Sequence, residues 1–370
     1  MNLEEIGKRL RWFLDAGITV EITGPSGIGK SEMIVQKIEE YSKQDGFDWG
    51  LGRHFTATYT PPDITGYLAL MEQEVTGPDG KTRKEPVSKF SMPPWMLDDH
   101  GLPLNNYKRG ICVLEEHDKA TPDVKKAAAP ILLSGGIATW QFHEGIGVIV
   151  LSNDASSSRQ GSTKNFDFVI NRICIIKAAA TMGGWMKWAD EHNVDPAYKA
   201  FAEKFPNIVF SGEVPEVQGP FCTPRSLTNL SLAAKPAFSP EGRLIDKEGY
   251  IEIATGMIGA PAAMEIVTWM TMKDDVPTWA EIVKDPKKCK VPDNVGGQLM
   301  AAHQCAHAVD EKTIDQAVTY IKRLQPEFHL TFAKSATQRN FRLVNSKPFE
   351  KWVADAPQLV ALINALGGQR

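Results

Sequence analysis

Eight consecutive residues, Gly24-Pro25-Ser26-Gly27-Ile28-Gly29-Lys30-Ser31, satisfy the pattern G-x-x-x-x-G-K-[ST] in full. Each residue type has a chemical reason. The glycines allow the backbone to wrap close to phosphate oxygens and turn its N–H groups inward, and a helix starting there adds its partial positive charge. Lys30 supplies a cation for the β- and γ-phosphates, and the Ser31 hydroxyl is a hard oxygen ligand for Mg²⁺. The expected ligands are therefore ATP and Mg²⁺.

A site of this kind needs a carboxylate for the metal and a group to polarise the attacking water. The run Ile111-Cys112-Val113-Leu114-Glu115-Glu116 offers both, four apolar residues burying a strand and two acids emerging at its tip. Glu115 is expected to reach Mg²⁺ through its water shell and Glu116 to act on the water. The usual first acid is Asp, so Glu115 adds a methylene that the backbone or a further water must absorb. Asn153 ends the next apolar run and could hold the same water or the γ-phosphate.

The elements that must position these groups follow from the hydrophobic pattern. Residues 18–23 (ITVEIT) alternate as a strand, enter the glycine-rich segment directly, and lead to a helical stretch over 32–43. A second strand is expected at 55–58, closed by Pro61-Pro62. Residues 67–107 read as an insertion, with a hairpin turning at Gly77-Pro78-Asp79-Gly80. Buried strands are expected at 110–114, 148–151 and 172–176, and a helix from Thr121-Pro122 to residue 133 stops at Gly135-Gly136. Strands alternating with helices predict a mostly parallel α/β sheet over 1–177. Helical periodicity then dominates 182–191, 226–234, 262–272 and 297–309. The expected organisation is an α/β core (1–177), an α-helical domain (178–330) and a small C-terminal extension (331–370).

Composition narrows the function classes. Of 370 residues, 42% are hydrophobic and 23% charged, an ordinary globular balance, and the net charge of −4 gives no footprint for nucleic acid or a membrane surface. The five cysteines (Cys112, Cys174, Cys222, Cys289, Cys305) are scattered without a CxxC pair, which fits reduced thiols in a cytoplasmic protein. No apolar run nears the roughly 18 residues of a membrane helix, and residues 1–13 lack the apolar core of a signal peptide.

The order of these motifs resembles the AAA+ ATPases, and within them the MoxR-like branch, over residues 20–235. The glycine-rich segment stands as the family's Walker A motif. The segment Tyr59-Thr60-Pro61-Pro62-Asp63-Ile64-Thr65-Gly66 is similar to the family's stretch of Pro, Asp and Gly after the second strand. The segment from Leu114 to Pro122 is similar to its two acids followed by a hydrophobic residue, Asn, Arg, Ala and Pro; His117, Asp118 and Lys119 depart from it. Asn153 stands at the family's sensor-1 position, and 67–107 where it carries an extra helix-2 element. The resemblance implies that Arg172 is an arginine finger reaching a neighbouring subunit's γ-phosphate, with Arg159 as a second candidate, and that Arg225 is a sensor-2 arginine opening a lid helix. Asn171 replaces the usual Asp before the finger.

Other features have plainer readings. His303 and His307, at i and i+4, have a spacing that can bind zinc, but no acid or further ligand completes a set, so helix packing is expected. Trp185, Trp188, Trp269, Trp279 and Trp352 fall on apolar helical faces. Tyr67, Phe90 and Trp95 either pin the insertion to the body or line a pore in a ring. Residues 81–84 read as a solvated basic turn, and 349–366 as an amphipathic segment interrupted by Pro357.

Together these imply a P-loop AAA+ core with a five-stranded parallel sheet, a helical lid and a small extension. The resemblance implies a cytoplasmic homo-oligomer, a hexameric ring with ATP between subunits, acting as a chaperone-like hydrolase on a protein client or a von Willebrand factor A-type adaptor. The alternatives are a nucleic-acid-linked motor or clamp-loader-like ATPase, a monomeric small-molecule kinase, and a slow nucleotide-switched scaffold.

Overall fold

The computed structural model describes residues 1–154, 165–216, 218–240, 242–354, 356 and 359. These divide into two compact units, Met1–Ala179 and Ala180–Arg370.

The first unit opens with α1 (Leu3–Asp15), started by a capping box in which the Asn2 side chain accepts from the Glu5 N–H. Then come β1 (Val20–Thr23), α2 (Lys30–Asp45), β2 (Gly50–Phe55), α3 (Pro61–Thr65), the hairpin β3 (Leu68–Thr76) and β4 (Thr82–Phe90), and β5 (Gly110–Glu115). After β5 come α4 (Pro122–Ser134), a two-residue ribbon of β6 (Gly136–Ile137) and β7 (Trp140–Gln141), β8 (Ile146–Ser152), α5 (Asp167–Ile170) and β9 (Cys174–Lys177). Five strands form one sheet in the order β2-β5-β8-β1-β9, and every neighbouring pair is parallel. The expected α/β core with a five-stranded parallel sheet is what the chain forms.

Strand periodicity distributes the core to the two faces of this sheet. Ile111, Val113, Ile149, Leu151, Val20 and Ile22 face α1 and α2, meeting Ile6, Leu10, Leu14, Met33, Ile34 and Ile38. Cys112, Leu114, Val148 and Val150 point the other way, onto Val124, Ala128 and Ile131 of α4 and onto Trp95. All six residues of β5 are buried, as a central parallel strand requires.

The second strand lies earlier than expected. It covers Gly50–Phe55, and Thr56–Thr58 form a 3₁₀ turn in which the Thr58 hydroxyl donates to the Phe55 carbonyl. Two glycines hide the strand from a pattern search, and one of them is sterically required, because a Cβ at Gly52 would run into the Leu97 carbonyl.

The hairpin pairs Leu68 with Phe90 through to Thr76 with Thr82. Both of its faces are largely exposed, whereas its return is anchored by Trp95, fully buried with its indole N–H donating to the Ile64 carbonyl at 2.7 Å. Trp95 thus pins the insertion, Tyr67 is exposed and Phe90 half-buried. Lysines and Pro86 along β4 blunt that edge against pairing with another strand.

The second unit is helical: α6 (Met182–Glu191), α7 (Pro196–Lys204), α8 (Pro206–Val209), α9 (Pro224–Ala233), α10 (Lys247–Ile258), α11 (Ala260–Thr271), α12 (Trp279–Lys284), α13 (Val295–Ala308), α14 (Ile314–Ile321), α15 (Pro326–Arg339) and α16 (Lys347–Ala354). One core collects Trp185, Phe201, Tyr250, Trp269, Phe332, Phe349 and Trp352, with Trp188 and Trp279 packed against it. Inside lies an ion pair, Lys199 Nζ to Asp190 Oδ1 at 2.6 Å, joined by the Ser335 hydroxyl. His303 Nε2 is hydrogen-bonded with Glu203 Oε2 at 2.8 Å, and the Thr331 hydroxyl donates to Glu203 Oε1. Among the described residues no helix is long and apolar enough to cross a membrane.

Candidate functional site

Thr23 at the end of β1 is paired with Ser152 of β8, and Leu114 of β5 with Val150 of β8. The carboxyl ends of three adjacent strands therefore share one edge of the sheet, where open α/β sheets bind ligands.

The glycine-rich loop leaves β1 at that edge and becomes α2 at Lys30. Gly27 and Gly29 have φ of 74° and 97°, a region that side chains seldom tolerate, so the loop needs them. No side chain caps α2 at Gly29, which leaves its first N–H groups to face the loop. Lys30 is buried and reaches back across the loop. Its Nζ donates to the Gly24 carbonyl at 2.7 Å, the Pro25 carbonyl at 2.9 Å and Asn153 Oδ1 at 3.1 Å.

Glu115, 8% exposed, closes β5 beside the start of α2, and the Ser31 hydroxyl donates to its Oε2 at 2.9 Å. The Thr56 hydroxyl donates to the Glu115 carbonyl at 3.1 Å and so fixes the tip of the strand from the turn after β2. Two hard oxygen groups, a hydroxyl and a carboxylate, thus meet at a helix N-terminus, a donor set suited to Mg²⁺.

Glu116 is in the left-handed region with φ 51°, uncommon for a side-chain-bearing residue. This turns its carboxylate away from the buried strand, toward solvent, where it pairs with Lys119 Nζ at 3.2 Å. Asn153 is held from two sides: its amide oxygen accepts from Lys30, and its backbone N–H donates to Asp118 Oδ1 at 2.9 Å. The residue before Asp118, His117, is buried with Nδ1 at 3.3 Å from the Thr56 hydroxyl. Burial, helped by the nearby Lys125 cation, depresses its pKa to about 3, so the imidazole is neutral.

The structure therefore brings together Lys30, Ser31, Glu115 and Asn153, with Glu116 on the adjoining turn. Arg172 is on the exposed turn after α5, and among the described residues its guanidinium makes no hydrogen bond or ion pair. Arg225 is exposed on the first turn of α9 in the second unit. Arg159 lies outside the described residues. His303 is committed to Glu203, and among the described residues no three His, Cys, Asp or Glu side chains are placed to hold a metal ion.

Several groups here were not singled out in the sequence: Thr56, Glu21, Lys125 and Asn165. Glu21 sits mid-strand in β1, 7% exposed, accepting from the Ser152 hydroxyl and from Asn165 Nδ2, both at 2.7 Å. Buried Lys125 of α4 senses Glu21 and Asp118, and although burial lowers its pKa those two carboxylates oppose the shift. The available signal was a lone charge inside an apolar strand, ITVEIT.

No protein-family model matches the chain, and no curated protein matches it in sequence. Solved structures resemble it in outline. A protein provisionally designated an ATPase, from Cytophaga hutchinsonii, is 11% identical at a TM-score of 0.34, over 91% of this chain and 80% of that one. NtrX from Brucella abortus in complex with ATP is 13% identical at 0.32, over 97% and 67%. The same protein with ADP is 12% identical at 0.33, over 99% and 67%. At such TM-scores these likenesses carry no functional weight.

Proposed function

We propose that this chain binds Mg²⁺–ATP at the carboxyl edge of its parallel sheet and hydrolyses it, as an AAA+ ATPase of the MoxR-like kind. The observation that carries the reading is the convergence of Lys30, Ser31, Glu115 and Asn153 from three strand ends onto one loop.

In this reading Lys30 exchanges the loop carbonyls for phosphate oxygens when nucleotide enters. Ser31 and Glu115 are the residues that would hold Mg²⁺, Ser31 directly and Glu115 through water. The bound metal supplies charge neutralisation on the phosphates as the bond to the leaving group breaks. Glu116 accepts the proton of the attacking water after releasing Lys119, and Asn153 orients that water or the γ-phosphate. A general base of this kind contributes on the order of 10²–10⁴ in rate.

Arg172 has the part of a group acting on another subunit's nucleotide. Supporting this, it is exposed and unpaired among the described residues, and apolar Phe168 and Ile170 beside it are also exposed, as residues of a subunit contact would be. The assembly proposed is a homo-oligomeric ring, hexameric by family resemblance. Arg225 would sense the nucleotide from the helical unit, and hydrolysis would remodel or activate a protein client or a von Willebrand factor A-type adaptor.

One observation favours a slower device. The Glu116–Lys119 ion pair engages the water-activating carboxylate, which suits a nucleotide-switched scaffold that turns over only when a partner frees Glu116. Phosphate release from Mg²⁺–ATP, compared between the unaltered chain and Glu116→Gln, tests the proposal. Turnover that Glu116→Gln abolishes supports hydrolysis; equal release by both excludes Glu116 as the base.

A further inference from the structure

Glu21 is a carboxylate where the fold gives no structural reason for one. Its neighbours Val20 and Ile22 fill the apolar face toward α1 and α2, and β1 runs between β8 and β9 in the sheet. Burying a charge there is costly unless it is matched. Glu21 is matched on both oxygens, and its two partners lead to different places. Ser152 Oγ, on Oε1, is adjacent in the chain to Asn153, which touches Lys30. Asn165 Nδ2, on Oε2, directly precedes Phe166, the N-cap of α5, and α5 leads into the turn that carries Arg172. On the same side of the sheet, Lys125 of α4 senses both Glu21 and Asp118, and Asp118 holds the Asn153 N–H.

We infer that Glu21 is a positioning residue that couples the Asn153 end of the nucleotide site to the segment bearing Arg172. The inference rests on the proposed shared-site hydrolysis and adds to it the residue through which one copy's site sets its own finger. A shift of Asn153 on its phosphate or water partner moves Ser152, the preceding residue at the end of β8. Glu21 bridges Ser152 and Asn165 with one rigid carboxylate, so the Asn165 end must follow. The register of α5, and with it Arg172, is then set by what occupies the loop at Lys30. Lys125 is the cation nearest in effect to this carboxylate: Glu21 and Asp118 oppose the lowering of the lysine's pKa by burial.

The test is a double-mutant cycle on the full chain, read as phosphate release, with nucleotide affinity measured separately using a fluorescent ATP analogue. Glu21→Gln keeps the shape and an acceptor for Ser152, but loses the charge facing Lys125 and presents an amide N–H₂ to Asn165. The expected result is nucleotide affinity within about twofold of the unaltered chain and turnover lowered roughly tenfold. The Glu21→Gln/Arg172→Ala double variant should then turn over no more slowly than Arg172→Ala alone, because the relay acts through Arg172. A purely structural role would lower both affinity and turnover, and its loss would multiply with that of Arg172→Ala; that result overturns the inference. If Glu21→Gln does not fold, Asn165→Ala removes the distal end of the bridge and takes its place in the cycle. A finger variant that slows turnover beside a Glu21 variant that does not defeats the relay alone. An Arg172→Ala protein as active as the unaltered chain defeats the shared-site reading and the relay with it.

Discussion

The Ser31 hydroxyl donates to Glu115 Oε2 at 2.9 Å, joining the first turn of α2 to the tip of β5 across 84 residues of sequence. Neither element could place the proposed Mg²⁺ ligand set alone. The strand supplies the carboxylate, the helix the hydroxyl, and the sheet register brings them within hydrogen-bond reach.

Removing Lys30 should weaken nucleotide binding. Lys30→Ala deletes the cation that spans the loop, and a charge-assisted contact to phosphate contributes on the order of 1.5–3 kcal/mol, roughly ten- to more than a hundredfold in affinity. Titration calorimetry with Mg²⁺–ATP checks this; unchanged affinity would mean that the loop is not the binding site.

Ser31→Ala should separate metal from nucleotide. Affinity for ATP measured in EDTA should change by no more than a few-fold, whereas the gain in affinity on adding Mg²⁺ should be lost. A variant that still responds to Mg²⁺ like the unaltered chain would remove Ser31 from the metal site.

His117 predicts a dependence of stability on pH. Burial lowers its pKa from 6.5 to about 3, so between these values the unfolded chain carries a proton that the folded chain does not. Its contribution is complete above pH 6.5 and is lost as pH falls toward 3, at up to about 1.4 kcal/mol per pH unit. His54, lowered to about 4 by burial, acts in the same direction. Denaturant titrations from pH 7 to 4.5 should show a shallower loss for His117→Gln than for the unaltered chain. Equal slopes would contradict a neutral buried imidazole.

In the helical unit, Lys199→Met should destabilise by about 3–5 kcal/mol, because it strands Asp190 as a buried charge. Pairing it with Asp190→Leu should restore much of the loss. Thermal unfolding of the two variants decides this; a double variant no better than the single one would show that the pair, not the charge balance, holds α6 to α7.

The fold was legible where a physical signal is contiguous. Buried parallel strands are short apolar runs, so β5 and β8 stand out, and the glycine-rich loop is one uninterrupted segment. The second strand is hidden from its local pattern because Gly50 and Gly52 break its run, and Gly52 answers to Leu97, far along the chain. In the candidate site, Glu115 and Asn153 are proposed from their places at strand ends, and Lys30 and Ser31 from the glycine-rich pattern that opens α2. The bonds of Asp118 to Asn153 and of Glu21 to Ser152 and Asn165 could not, since they depend on which strands are neighbours. Arg172 and Arg225 were singled out by resemblance alone, and each stands exposed on its own unit.

The most direct test is the native mass of the Glu116→Gln protein with and without Mg²⁺–ATP, because this change should keep binding while stalling hydrolysis. A multi-subunit ring that forms or sharpens with ATP, and weakens when Arg172→Ala is added, is the predicted result. A monomer under every condition would contradict the shared-site ATPase and leave the glycine-rich loop as a nucleotide site within a single chain.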